Sequence, residues 1–500
     1  MTDPIEAGPA QAAVVDVGSN SVRMVLYRLE GRAVWTVFNE KVLAGLGRDL
    51  PRTGRLSERG VDDAMAALKR FAAVIEGVRP DLAFVAATAA VREAEDGPEF
   101  CERVAAETGL RIRVLTGEEE ARASALGVLA GAPDAAGTTA DMGGTSLELT
   151  RIGEGKVMGG VTLPLGPFAL SDGKPFDAER VRALVAKRLK PARSAHGDRR
   201  LHAVGGAWRS LAQLHMAISD YPLKVVHQYA MSAGDAREVA RFAARQSRAS
   251  LEKSPGISRR RAETLPYAAL VLEGLIDQLG FEEISFSAWG VREGLLFEAL
   301  GDKTLATDPL LAGTAALGAR QGVSPGLPGA VAGWIDAVTR SLPPAFDVAR
   351  DAVLVRAACN LCDIGARLHP DHRVELAFDQ VLRASIPGQT HVERAFLATA
   401  VSARYGGPTA TPEPATIDRL LNEDLRGRAR ALGLAIRLAC DLSGRSPQLL
   451  ANATAAIGDG VLRLSATPTY ADMLLGEQTR RRARALAEAL DAELVIEGGG

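Results

Sequence analysis

Five hundred residues, 47% of them hydrophobic, are enough for several buried cores and imply roughly three domains. A formal net charge of −2 with 24% charged residues excludes a globally basic nucleic-acid binder, so any polyanion must be met by local basic patches. Cys101, Cys359, Cys362 and Cys440 are sparse for this length, and MTDPIEAGPAQ has neither a basic n-region nor an apolar h-region. No apolar run approaches the roughly 20 residues of a membrane span, so a cytoplasmic chain with no membrane partner is expected.

In chain order, strands are expected near 12–17, 22–28 and 33–38, a helix over 57–77, strand 82–87, a helix over 98–108 and strand 112–115. A helix then opens at Thr116 or Gly117 with Glu118, Glu119 and Glu120 in its first turn. From 137 the pattern restarts: TTADMGG, SLELTRI, KVMGGVTL, a helix near 177–190, strand LHAVGG, a helix and strand EEISFSA. The strand, acidic-glycine loop, strand arrangement of residues 14–28 recurs at 136–151, an internal echo expected of duplication. After Leu300 a Gly- and Pro-rich stretch gives way to Ala, Leu and Arg at helical spacing through about 457, and VLRLSAT and ELVIEG read as a short closing β element. The expected domains are 1–125, 126–308 and a mainly helical 309–500.

Two loops carry hydrogen-bonding chemistry. DVGSNS offers Asp16, Gly18, Ser19, Asn20 and Ser21; DMGGTSLE offers Asp141, Gly143, Gly144, Thr145, Ser146 and Glu148. Glycines let backbone N–H groups approach phosphate oxygens, and successive amides form an anion nest. Carboxylates at 141 and 148 can hold a hard cation such as Mg²⁺ that bridges to phosphate. Either loop alone is read as readily as a glycine turn; two at matching places in repeated halves suit a phosphoryl group gripped from both sides.

DVGSNSVRM, ATAAVRE, LTGEEEARA, DMGGTSLEL, AVGGAWRSL and SAWGVREGLL stand in the order expected of the exopolyphosphatase and guanosine pentaphosphate phosphatase family, and over residues 11 to about 300 the chain resembles it. The resemblance implies two actin-like (ribonuclease H-like) α/β domains and a C-terminal region like a degenerate metal-phosphohydrolase (HD) domain. It implies release of orthophosphate from inorganic polyphosphate, with guanosine pentaphosphate a further candidate substrate, and a homodimer. Glu120 is implied as the catalytic base, with Asp16, Asp141 and Glu148 as metal-associated carboxylates for Mg²⁺ or another divalent cation. Ser19, Asn20, Ser21, Arg92, Gly143, Gly144, Ser146, Gly206 and Arg292 are implied as phosphate contacts. Two departures are visible: Thr145 replaces a glycine, narrowing backbone freedom, and Trp208 and Arg209 replace smaller polar residues.

Other readings stay open at this level. Three glutamates opening a helix complement its dipole, and crowding by Glu118 and Glu119 is expected to raise the basicity of Glu120. Arg92 and Arg292 are either structural arginines or planar forks for phosphate. CNLC with His369 and His372 superficially resembles zinc spacing, yet its helical, apolar context favours buried cysteines, and Cys362 stands where an HD pair would have its histidine. The basic runs at 187–200, 258–261 and 480–484 are solvated faces or a polyanion track; no aromatic interleaving suggests a single-strand nucleic-acid platform. The rival functions are a module of the same fold that binds guanosine penta- or tetraphosphate with little turnover, and an actin-like ATPase or sugar kinase.

Overall fold

The computed structural model describes residues 9–171, 174–192, 199–407 and 411–497. The first eight residues, and residues 193–198 of the basic run expected at 187–200, lie outside the described residues. Two compact units divide the chain, residues 1–306 and 307–500, where the sequence places that boundary at 308/309.

The first unit holds two sheets. β1 (Pro9–Val17) pairs antiparallel with β2 (Val22–Glu30) and parallel with β4 (Leu82–Ala87). β3 (Ala33–Val42) and the two-residue β5 (Arg113–Val114) complete the order β3-β2-β1-β4-β5. Ala12, Ala13, Val14 and Val15 are fully buried, as expected of a central strand covered on both faces. The helix Glu58–Val78 covers one side, burying Gly60, Ala64, Met65, Leu68 and Phe71 at helical spacing.

The second sheet repeats this plan. β6 (Gly137–Met142) pairs antiparallel with β7 (Leu147–Gly153), which pairs antiparallel with β8 (Lys156–Leu163). β9 (Arg200–Val204) lies parallel to β6, β10 (Tyr229–Ser232) is an edge strand, and β11 (Glu283–Phe286) stands between β9 and β10. The order β8-β7-β6-β9-β11 matches β3-β2-β1-β4-β5, so both sheets have the three-antiparallel, two-parallel topology of an actin-like domain.

The interdomain boundary differs from expectation. Position 125/126 falls inside the helix Gly117–Gly131, which packs against both β7 and β8 of the second sheet. The helix Val291–Glu298, expected with the second domain, returns to the first sheet: Leu295, Leu296, Phe297 and Leu300 share a core with Ala10, Ala12, Val14 and Leu29.

The second unit is mainly helical, with long helices at Pro309–Arg320, Leu327–Arg340, Val348–Asn360, Arg373–Arg383, His391–Gly406, Glu423–Leu442 and Glu477–Ala489. β12 (Ala453–Gly458), β13 (Val461–Ala466) and β14 (Glu493–Glu497) form a small sheet. The helical run therefore stops short of 457. Among the described residues no helix is long and apolar enough to cross a membrane.

Candidate active site

The two glycine loops are built by the same hydrogen bonds. In the first, Gly18 N donates to Ser21 O (3.0 Å), while Gly47 N and Gly45 N donate to the carbonyls of Ser19 (2.8 Å) and Asn20 (3.1 Å). In the second, Gly143 N donates to Ser146 O (3.1 Å), while Phe168 N and Gly166 N donate to the carbonyls of Gly144 (2.8 Å) and Thr145 (3.0 Å). Anchoring the carbonyls leaves the amides free: among the described residues, those of Ser19, Asn20, Gly144 and Thr145 donate to no protein acceptor. Thr145 does not have positive φ, so a side chain is accommodated at this position without left-handed strain.

The loops meet. Ser19 Oγ and Thr145 Oγ1 are 3.3 Å apart, both side chains buried. A Cβ on Gly144 would stand 2.7 Å from that of Ser19, so this approach requires glycine. Between them opens a cleft enclosing about 1060 Å³ out to its mouth. Asp16, Ser19, Asn20, Ser21, Glu120, Asp141, Gly143, Gly144, Ser146, Gly206 and Arg292 all line it.

The three glutamates of GEEE separate by helix phase. Glu118 is exposed. Glu119 closes a capping box, its Oε2 accepting from Thr116 N (2.8 Å) while its N–H donates to Thr116 Oγ1 (3.1 Å). Glu120, 5% exposed, points into the cleft. Burial pushes its carboxyl up to about 7, with Asp141 and Asp16 adding to the rise and Arg92 opposing it. The neighbours that raise its basicity are thus the loop aspartates, not Glu118 and Glu119.

Arg92 does not line the cleft. Its Nη1 donates to Glu120 Oε2 (2.9 Å) and to Leu115 O (2.8 Å), which makes it a clamp on Glu120 where the motif implied a phosphate contact. Arg292 does face the cleft, with Nη1 3.2 Å from Asp16 Oδ2 and Nε buried without a hydrogen-bond partner. Behind it, Glu293 accepts from Tyr27 Oη (2.6 Å) and Gly290 N (3.0 Å).

A cationic wall is met in the sequence reading only at Arg261, within the run 258–261 offered as a polyanion track. Asp16, Arg23 and Lys41 are directly opposite one another across β1, β2 and β3, so they share one face and extend about 10 Å outward from Asp16. Arg209 and Arg261 join them from the helices Gly206–Ile218 and Arg259–Leu279. Arg261 fills the space left by Gly206, where a Cβ would be 2.5 Å from its Nη2. Burial, then the guanidiniums of Arg261, Arg209 and Arg23, push the Lys41 ammonium down to about 7; its side chain still reaches solvent, which softens the shift. Burial likewise lowers Arg23, Arg209 and Arg261. Among the described residues no carboxylate forms an ion pair with Arg23, Lys41, Arg209 or Arg261, which leaves them to an anionic ligand.

The carboxylates fit a divalent cation. Asp141 is part-buried at the cleft and accepts from Ser124 Oγ (2.6 Å); Glu148, 1% exposed, lies opposite it across β6 and β7, behind the cleft wall. Glu148 Oε1 is buried without a hydrogen-bond partner, and burial, then Glu120 and Asp141, push its carboxyl well up. Mutually repelling, under-satisfied oxygens are what a hard cation offsets. Among the described residues no three acidic, His or Cys side chains form a ready-made cage, so the fit is to an ion that keeps its waters and takes phosphate oxygens. In the second unit, Cys359 and Cys362 are buried whereas His369 and His372 are exposed.

The Ppx/GppA phosphatase family matches residues 25–303, and the family of exopolyphosphatase C-terminal regions matches 337–495. Exopolyphosphatase 1 of Mycobacterium tuberculosis is 28% identical over 303 residues, covering 57% of this chain and 87% of the relative. That of Mycobacterium leprae is 29% identical over 303 residues, covering 57% of this chain and 88% of the relative. The fold is shared with a crystal structure of an Aquifex aeolicus Ppx/GppA family member at TM-score 0.52 and 24% identity, covering 58% of this chain and 97% of that one. With the paired loops, the buried glutamate and a match over more than half its length, the chain belongs to the Ppx/GppA phosphatase family and is a hydrolase.

Proposed function

We propose that the protein removes the terminal phosphate of inorganic polyphosphate. The observation that carries this reading is the cleft itself: two loops with unused amides meet at its wall, Glu120 lines it beside them, and unpaired cations lead away from Asp16. The terminal phosphoryl group binds between the amides of Ser19, Asn20, Gly144 and Thr145, with Arg292 on its oxygens. The rest of the chain runs along Arg23, Lys41, Arg209 and Arg261, where each residue of a linear polyanion supplies charge. Glu120 takes a proton from water as the water oxygen bonds to the terminal phosphorus and the bridging P–O bond breaks. Arg92 and the capping box hold that carboxylate in place. Asp141, Glu148 and Asp16 would hold Mg²⁺, which when bound neutralises phosphate charge.

The name of the mycobacterial relatives supports polyphosphate, and a cleft-facing carboxylate favours turnover over binding alone. The test is orthophosphate release from polyphosphate, guanosine pentaphosphate and ATP, each with Mg²⁺ and with chelator. The highest kcat/KM is expected on polyphosphate with Mg²⁺; tight guanosine pentaphosphate binding without release, and no turnover of polyphosphate, would overturn the reading.

A further inference from the structure

The helical unit contains a second polar cavity, about 700 Å³ out to its mouth, lined by Arg373, Arg404, Arg437, Asp441, Arg445 and Arg482. Arginine surrounds the acids there. Asp363 Oδ1 accepts from Arg445 Nε (2.8 Å) and lies 3.7 Å from Arg404 Nη2. Asp441 accepts from Arg482 Nε (2.9 Å), with Arg404 Nη1 at 3.6 Å and Arg437 Nε at 3.8 Å. With Arg373, five arginines line or border the cavity against two aspartates, an excess of three positive charges.

These arginines are held ready yet under-used. Arg404 is 5% exposed at its side chain, and its Nη2 has no hydrogen-bond acceptor among the described residues; nor have Nε of Arg373 and Arg437. Arg404 and Arg373 lie over the Tyr405 ring at 5.0 and 5.7 Å, which fixes their planes, and Arg404 Nε is tied to Cys362 O (3.0 Å). Burial, then the nearby Arg482, push Arg437 down to about 10, with Asp441 opposing the fall. A metal ion would be repelled here, whereas a planar guanidinium fork matches phosphate oxygens.

We infer that this cavity binds a phosphoryl group, either free orthophosphate or the phosphates of a nucleotide, independently of the active-site cleft. The arginines of the cavity supply the donors, and the basic run at 480–484 contributes through Arg482. The residues involved belong wholly to the helical unit, so the inference stands whatever the substrate of the cleft.

The test is hydrogen exchange on the full-length protein titrated with orthophosphate, pyrophosphate or guanosine tetraphosphate. Each effective ligand should protect amides in the helices His391–Gly406 and Glu423–Leu442. Protection by orthophosphate and pyrophosphate alike assigns the source as free phosphate; protection by guanosine tetraphosphate alone assigns a nucleotide. Arg437→Gln should raise the ligand concentration for half-protection at least about tenfold, as expected for loss of a charge-assisted contact, while protection of residues 16–22 and 141–148 is unchanged. Arg482→Gln, on a more exposed side chain, should act in the same direction if Arg437→Gln fails to fold. Protection confined to the cleft loops at millimolar ligand, or helical-unit protection unchanged in the variants, would overturn the inference.

Discussion

Replacing Arg92 by leucine separates its two readings. As a clamp, Arg92 donates to Glu120 Oε2 at 2.9 Å and opposes the burial that raises this carboxyl, leaving it at about 7 with Arg92 in place. A hydrogen bond to a charged group contributes about 1.5–3 kcal/mol, which at 1.36 kcal/mol per unit moves the pKa up by roughly 1–2 units, to about 8.5. At pH 7.5 the ionised fraction of Glu120 then falls from about three-quarters to about one-tenth, an eightfold loss in kcat/KM; at pH 9 most of the loss is recovered. The assay is orthophosphate release from polyphosphate between pH 6 and 9.5. A constant loss at every pH, carried by KM alone, would refute the clamp and restore Arg92 as a phosphate contact.

Lys41 gives the opposite sign: with its free-protein pKa lowered toward 7, a bound polyanion draws a proton onto it, so polyphosphate affinity should fall as pH rises from 7 to 9. Calorimetry in buffers of different ionisation enthalpy should show proton uptake at pH 8 that Lys41→Met removes; equal uptake in both proteins would contradict the assignment. Gly144→Ala places a Cβ 2.7 Å from that of Ser19, so the loops must part: turnover should fall at least tenfold with about 1–3 kcal/mol of stability lost, read by chemical denaturation and orthophosphate release. Asp141→Asn should sharply reduce turnover and weaken its dependence on Mg²⁺, and undiminished wild-type activity in excess EDTA would contradict a cation at Asp141 and Glu148.

Much of the site was legible because its signals are local. A β-branched run broken by Asp, Gly, Ser and Asn marks a chelating turn, and its recurrence in DMGGTSLE carries over into identical loop hydrogen bonds. Glu120 is singled out by the family resemblance; helix phase, about 200° over two residues, requires only that Glu118 face elsewhere, and the structure places Glu120 at the cleft and Glu118 in solvent. The cationic wall, Arg261 apart, was hidden because it is a matter of register. Arg23 and Lys41 are 18 positions apart and meet only through β2–β3 pairing, while Arg209 and Arg261 arrive from separate helices. Arg261 sits in SRRR, a run whose composition is equally that of a solvated face. The misplaced boundaries have similar causes. Ala453–Gly458 is alanine-rich and reads as helix by propensity until pairing with β13 overrides it, and β10 is too short to show alternation. The return of residues 295–300 to the first sheet is tertiary and leaves no mark in the local pattern.

The central claim is that Glu120 activates the water that attacks polyphosphate, and the most direct measurement is turnover and polyphosphate binding in Glu120→Gln beside Glu118→Gln. The glutamine keeps the size of the side chain and an acceptor for Arg92 but cannot take the proton, so turnover should fall about 10²- to 10⁴-fold with binding largely retained, while Glu118→Gln stays near wild type. Comparable losses in the two variants, or near-normal orthophosphate release from Glu120→Gln, would contradict it.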